Sequence, residues 1–197
     1  MLETLNILDT KLFIFLNHLN HPVIDKFMLF ISYNFIPSII LICLFIYLSI
    51  KSFGKKAFIP FIFLIFVFGL CDSISSKGFK DNIKRLRPMH EPSIMNDVYT
   101  AGKGRGGGKY GFVSSHATNT FGICFFIFLL FRRKYPSTKY LFIYASIVAY
   151  SRIYLGKHYP LDLVFGALLG ILISYLVYRI FLISKLKWIV PYQDQPQ

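Results

Sequence analysis

Long apolar blocks with short polar punctuation dominate the chain. Phe27 to Ile50 carries no charge and is interrupted chiefly by Asn34 and Pro37; Ala57 to Ser76 follows, with Pro60 near its start and Asp72 near its end. Further blocks run over about 115–131, 140–153 and 160–183. A membrane-crossing helix needs about 20 mainly apolar residues. The pattern therefore predicts an all-α integral membrane helix bundle of about five transmembrane helices, with one membrane-embedded domain over 27–187 and a cytoplasmic tail over 188–197.

Residues 1–26 have a different rhythm. Leu2, Leu5, Leu8, Leu12, Phe15, Leu16 and Leu19 recur at helical spacing with Glu3, Asn6, Asp9 and Asn17 between them. This predicts an N-terminal amphipathic interfacial helix. Its early acids and lack of a basic start are unlike a secretory signal.

Composition sharpens the class. The 197 residues are 55% hydrophobic and only 16% charged, with mean hydropathy +0.54. That excludes a disordered chain and argues against a soluble domain, which averages roughly 25% charged residues. The aromatic share of 18% falls mostly within the apolar blocks and reads as span filling, so no nucleic-acid partner is expected. Cys43, Cys71 and Cys124 all lie inside predicted spans, where a thiol packs as a small apolar group, and no disulfide is expected.

The net charge of +13 is the awkward feature. Lys51, Lys55 and Lys56 follow the first block, Arg132, Arg133, Lys134 and Lys139 separate the third and fourth, and Arg179, Lys185 and Lys187 end or follow the fifth. With five spans these fall on one side, which the positive-inside rule makes cytoplasmic. Yet the opposite face holds the connection 77–113, with eight basic residues, joined by Arg152 and Lys157. An anionic ligand would account for them.

Polar residues collect at that same face: Lys80 to Pro88, Gly111 to Ala117, then Ser151, Arg152, His158 and Asp162. Lys80, Arg87 and Arg152 suit a multiply charged anion, because guanidinium donors match phosphate oxygens. Ser114 and Ser115 fall where the third span begins, at the positive end of a helix. His158 and Asp162 are four residues apart, a spacing that lets a carboxylate hold one imidazole nitrogen while the other attacks. His116 is then available to protonate a leaving oxygen. Lys84, Arg85 and Lys157 are read as solvated or lipid-facing charges, and Asp72 as a weaker intramembrane candidate beside the site.

The pattern K-x6-R-P, S-x-H and S-R-x5-H-x3-D resembles the three signature motifs of the type 2 phosphatidic acid phosphatase superfamily. Lys80, Arg87 and Pro88 match the first, Ser114 and His116 the second, and Ser151, Arg152, His158 and Asp162 the third. The resemblance implies a metal-independent phosphatase with no cofactor. His158 would form a phosphohistidine, Asp162 would orient it, and His116 would protonate the leaving group. Lys80, Arg87, Ser114 and Arg152 would hold the phosphoryl oxygens. The second motif usually reads Pro-Ser-Gly-His and here reads Val113-Ser114-Ser115-His116, so Ser115 either adds a phosphate ligand or tightens the pocket.

The expected substrate is a lipid phosphate in the surrounding membrane, with the site facing the periplasm or cell exterior. Undecaprenyl diphosphate, hydrolysed to undecaprenyl phosphate, is the first expectation. The alternatives are lipid A, at its 1- or 4'-phosphate, and phosphatidylglycerophosphate or phosphatidic acid. A reading from another class is an anion transporter or binding protein using the same basic rim. The run Gly102 to Gly111 departs from a phosphate-binding P-loop, since Tyr110 follows Lys109 where Ser or Thr would be needed, and it is read as a flexible loop.

Overall fold

A computed structural model describes residues 2–102 and 106–184. The expectation for Lys103 and Arg105 and for the tail from residue 185 onwards lies outside the described residues. The main helices are α1 (Leu2–Asn17), α2 (Pro22–Tyr33), α3 (Ile36–Phe53), α4 (Phe58–Ser73), the single turn α5 (Asp81–Ile83), α6 (Ser115–Phe131), α7 (Leu141–Tyr154) and α8 (Pro160–Ile183). Among the described residues, Ile36–Lys56, Phe58–Lys80 and Pro160–Ile183 are long and apolar enough to cross a bilayer, and Ser115–Phe131 is a shorter apolar helix. The chain is an all-α membrane helix bundle.

One apolar block becomes two helices. Asn34 ends α2 in extended backbone, its side-chain oxygen accepts the Ile36 N–H at 2.9 Å, and Pro37 stands in the first turn of α3. Proline lacks the donor a continuing helix would need, whereas it fits a helix start. The break leaves α2 against α7 and delivers Ser32 and Tyr33 to the site end of the bundle.

The helix α6 runs through the centre, packed by α4, α7 and α8. Phe45, Val67, Cys71, Phe126, Phe131 and Phe181 form part of its buried core. Its approach to α8 is set by glycine: a Cβ on Gly170 would lie 2.2 Å from the Thr118 carbonyl oxygen, and one on Gly122 would lie 3.3 Å from the Gly170 carbonyl oxygen. Gly166 and Gly170 form a small-x3-small pair, which lets transmembrane backbones meet closely. Ser174 Oγ adds a 2.6 Å hydrogen bond to the Gly122 carbonyl. The start of α6 is thereby pinned beside the start of α8, where Ser114 N donates to the Asp162 carbonyl at 3.1 Å.

The first helix turns its polar positions inward. Asp9, Phe13 and Asn17, spaced by four, are buried, while Leu5, Leu8, Leu12 and Phe15 are exposed. Asn17 Nδ2 donates to the carbonyls of Tyr99, Ile153 and Tyr154 within 3.0 Å, and its oxygen accepts the Tyr99 N–H at 2.8 Å. In lipid the leucines need no protein partner, whereas an amide does. At the opposite end of the bundle Lys134 Nζ donates to the Lys51 carbonyl at 2.9 Å, bringing two of the basic loops together.

Candidate active site

The first motif begins on a helix rather than in a loop. Past Ser73 the chain winds on as a π-helical stretch, Ile74–Lys80, which carries Lys80 to the rim. A short antiparallel bridge then joins Leu86 to Tyr110, with Arg87 N donating to the Lys109 carbonyl and Gly111 N to the Arg85 carbonyl. This bridge lays Arg87 and Gly111 against the third motif. A Cβ at Gly111 would sit 3.2 Å from Asp162 Oδ2 and 3.4 Å from His158 Nδ1, so any side chain there would press on both groups.

All the sequence-derived site residues meet at this end. Lys80 Nζ donates to Ser115 Oγ at 2.7 Å, and Ser75 Oγ donates to the same oxygen at 2.9 Å. Ser115, in the place of the usual glycine, thus orients Lys80. Ser114 is fully buried as the N-cap of α6, its hydroxyl 3.5 Å from the Ala117 N–H. Arg87 Nε donates to the Tyr110 carbonyl at 3.0 Å. Arg152, in the last turn of α7, donates from Nη1 to Ser32 Oγ and lies 5.7 Å from the Tyr33 ring, while its buried Nε has no hydrogen-bond partner among the described residues.

His158 lies in the connection between α7 and α8 and is almost fully buried. Its Nδ1 stands 3.6 Å from Asp162 Oδ2 and has no hydrogen-bond partner among the described residues. Burial, reinforced by Arg87, Arg152 and Lys80, holds the imidazole well below its usual range, so the ring is neutral at ordinary pH. Asp162 is the third residue of α8, and its Oδ2 accepts the Tyr159 N–H at 3.0 Å in a reciprocal cap. The Arg85 guanidinium at its other oxygen and this cap together offset the burial of the carboxylate.

Two charges are placed differently from the sequence reading. Arg85 is neither solvated nor lipid-facing: it bridges Asp162 Oδ1 and Asp9 Oδ2, each at 2.7 Å, and lies 4.1 Å over the Tyr159 ring. Despite burial, which disfavours the cation, Asp162 and Asp9 hold it above its usual range. Lys157 is buried, donating to the Gly106 carbonyl and lying 3.7 Å from Met89 Sδ. Burial, then Arg152 and Arg87, push its ammonium down to about 8. The packing that buries Lys157 and half-buries Arg85 is invisible to local charge pattern. Lys84 is exposed as expected.

His116 opens onto a cavity of about 460 Å³ lined by Leu41, Ile42, Phe61, Leu64 and Ile65 from α3 and α4. Asn119, one turn on, donates to Asp72 Oδ1 at 3.1 Å, so an amide partners the intramembrane acid. Among the described residues no group of three or more His, Cys, Asp or Glu side chains is arranged to hold a metal. The cluster thus offers a neutral imidazole backed by a carboxylate, a second imidazole, and guanidinium and ammonium donors around them. Such a set can bind a phosphoryl group and exchange its substituents.

Known proteins share this architecture. The chain is 35% identical over 182 residues to a lipid A 4'-phosphatase of Porphyromonas gingivalis, covering 92% of this chain and 76% of that one. It is 33% identical to a lipid A 4'-phosphatase of Bacteroides thetaiotaomicron, covering 86% and 75%. Its fold matches the crystal structure of Aquifex aeolicus LpxE with a TM-score of 0.60 and 28% identity, over 87% of this chain and 95% of that one. A PAP2 type phosphatidylglycerolphosphate phosphatase from Bacillus subtilis matches in fold, with a TM-score of 0.65 at 21% identity over 90% and 86%. Residues 57–185, which hold all three motifs, match the PAP2 superfamily, and the chain belongs to that superfamily as a membrane lipid phosphatase.

Proposed function

We propose that this protein removes the 4'-phosphate of lipid A, with its active site on the periplasmic side of the inner membrane. The observation that carries the substrate is the likeness to two lipid A 4'-phosphatases over 92% and 86% of the chain. These relatives favour lipid A over the undecaprenyl diphosphate expected from sequence. The apolar cavity beside His116 supports a substrate whose acyl chains lie between α3 and α4 while its phosphate reaches the rim. The basic loops joined through Lys134 and Lys51 at the other end support the orientation.

In this mechanism Nδ1 of His158 faces Asp162, and Nε2 attacks phosphorus. The bond from phosphorus to the lipid oxygen breaks as His116, which takes up a proton with the incoming phosphate anion, passes that proton to the leaving oxygen. Water, deprotonated by the now neutral His116, then attacks the phosphohistidine. The phosphorus–nitrogen bond breaks, and inorganic phosphate leaves with His158 neutral again. Arg87, Arg152 and Lys80 hold the equatorial oxygens, where charge accumulates in the transition state. Family membership as a phosphatase leaves no ground for preferring the anion-transporter reading.

The test supplies lipid A phosphorylated at both ends, in detergent, alongside undecaprenyl diphosphate. Mass spectrometry should show loss of one phosphate with the 1-phosphate retained. Faster turnover of undecaprenyl diphosphate would replace the substrate assignment. A thiol introduced at exposed Ser93 should react with an impermeant label from outside the inner membrane, and protection there would invert the orientation.

A further inference from the structure

We propose that Asp9 and Arg85 are positioning residues of the reaction, and that they make α1 a working part of the active site. This rests on the phosphatase reading, in which Asp162 orients His158. The two oxygens of Asp162 have separate partners: Oδ2 accepts the Tyr159 N–H and faces His158, while Oδ1 accepts Arg85 Nη1 at 2.7 Å. Arg85 therefore fixes the rotation of the carboxylate. Without it, the oxygen facing His158 is held by the Tyr159 N–H alone.

Arg85 is itself held from the far side. Its Nη2 donates to Asp9 Oδ2 at 2.7 Å and to Asn6 Oδ1 at 3.0 Å, both on α1. The other oxygen of Asp9 accepts the Leu161 N–H at 3.0 Å, in the first turn of the helix whose third residue is Asp162. One buried carboxylate thus braces both the guanidinium that grips Asp162 and the backbone that carries it. Asp9 is 4% exposed and Asp162 0%, so neither carboxylate has water to substitute for a lost partner. Asp9 lies outside the segment 57–185 that matches the superfamily, and the brace is supplied by the N-terminal helix.

A simple structural clamp would be the plainer account, because removing one partner of a buried ion pair is destabilising by itself. The two accounts differ in what they move. Misplacing a catalytic group by about 1 Å costs on the order of 100-fold in rate, whereas loosening a clamp lowers melting temperature and substrate binding together.

The experiment uses the full-length protein in detergent and phosphate release from whichever lipid phosphate the wild type hydrolyses. If lipid A is not turned over and another lipid is, the substrate assignment fails while this test proceeds unchanged. Arg85→Gln should lower kcat on the order of 100-fold with KM within about twofold. Arg85→Lys should recover part of the loss, since it restores the charge without the paired donors. Asp9→Asn, nearly isosteric, should lower kcat about 10-fold, and the double variant should cost no more than Arg85→Gln alone, as expected of residues acting through one contact. The proposal is overturned if Asp9→Asn leaves kcat unchanged, if the losses multiply independently, or if KM and melting temperature carry the effect. Should Arg85→Gln fail to fold, Asp9→Asn decides by itself.

Discussion

Asp162 Oδ2 stands 3.6 Å from His158 Nδ1 and already accepts the Tyr159 N–H at 3.0 Å. One oxygen therefore serves as helix cap and imidazole partner, which ties the orientation of the proposed nucleophile to the start of α8. His158→Ala should abolish phosphate release, a loss of about 10⁴-fold or more for a nucleophile acting in a coupled set. Asp162→Asn keeps an oxygen for the cap but loses the charge, and should lower kcat by about 10²–10⁴-fold, with a lowered melting temperature because Arg85 loses a buried anionic partner. Wild-type protein quenched in alkaline detergent during turnover of ³²P-labelled substrate should carry acid-labile, alkali-stable label on His158. Activity in His158→Ala would overturn the mechanism.

Gly111 offers a local probe of the same pair. A methyl group there would meet Arg87 Cγ at 3.1 Å, Asp162 Oδ2 at 3.2 Å and His158 Nδ1 at 3.4 Å. Gly111→Ala should fold, since the neighbours can shift by tenths of an ångström, but lose about 10–100-fold in kcat through displacement of the reacting groups. Unchanged kcat would show that the approach of this backbone is incidental.

Lys157 lies close enough to Arg152 and Arg87 to feel their charge, so a phosphate held by those two would feel the charge of Lys157, which predicts a pH dependence in binding. Its ammonium, held down by burial and by Arg152 and Arg87, is charged below about pH 8 and neutral above it. A phosphomonoester is already dianionic above pH 7, its second pKa being about 6. KM should therefore rise between pH 7 and 9, approaching about 10-fold if one charge-assisted hydrogen bond is lost. Lys157→Arg, which stays charged, should flatten that rise. A wild-type KM that is constant over this range would exclude Lys157 from phosphate binding.

The contact between α6 and α8 should be intolerant of any side chain at Gly170. Even the methyl of Gly170→Ala would fall 2.2 Å from the Thr118 carbonyl, forcing the helices apart at an overpacking cost of about 1–3 kcal/mol. Thermal unfolding in detergent should show a lowered midpoint for Gly170→Ala. Gly69, whose Cβ would meet nothing within 4 Å, should tolerate alanine with no such loss.

What could be read from sequence followed from properties that are local. Membrane helices announce themselves by length and hydropathy, and the cluster Lys80, Arg87, Ser114, His116, Arg152, His158 and Asp162 combines residue types that phosphate chemistry requires at kept spacings. The break at Asn34 and Pro37 was also written locally, although the apolar run around it reads as one span. Ser32 carried no comparable signal, because a serine in an apolar helix looks like any other until Arg152 is found donating to it.

Sequence by itself determined that this is a membrane bundle with phosphate-handling groups gathered at one end. Tertiary structure alone decided the partner of each charge. Arg85 and Lys157 looked like surface cations, yet Arg85 meets Asp9 across 76 positions and Asp162 across 77, and Lys157 meets Gly106 across 51. Asp9 and Asn17 looked like the wet face of an amphipathic helix and instead face the protein. The reason is that in lipid an apolar side chain needs no partner while a polar one must find one inside the fold, and which one it finds is set by how the helices pack.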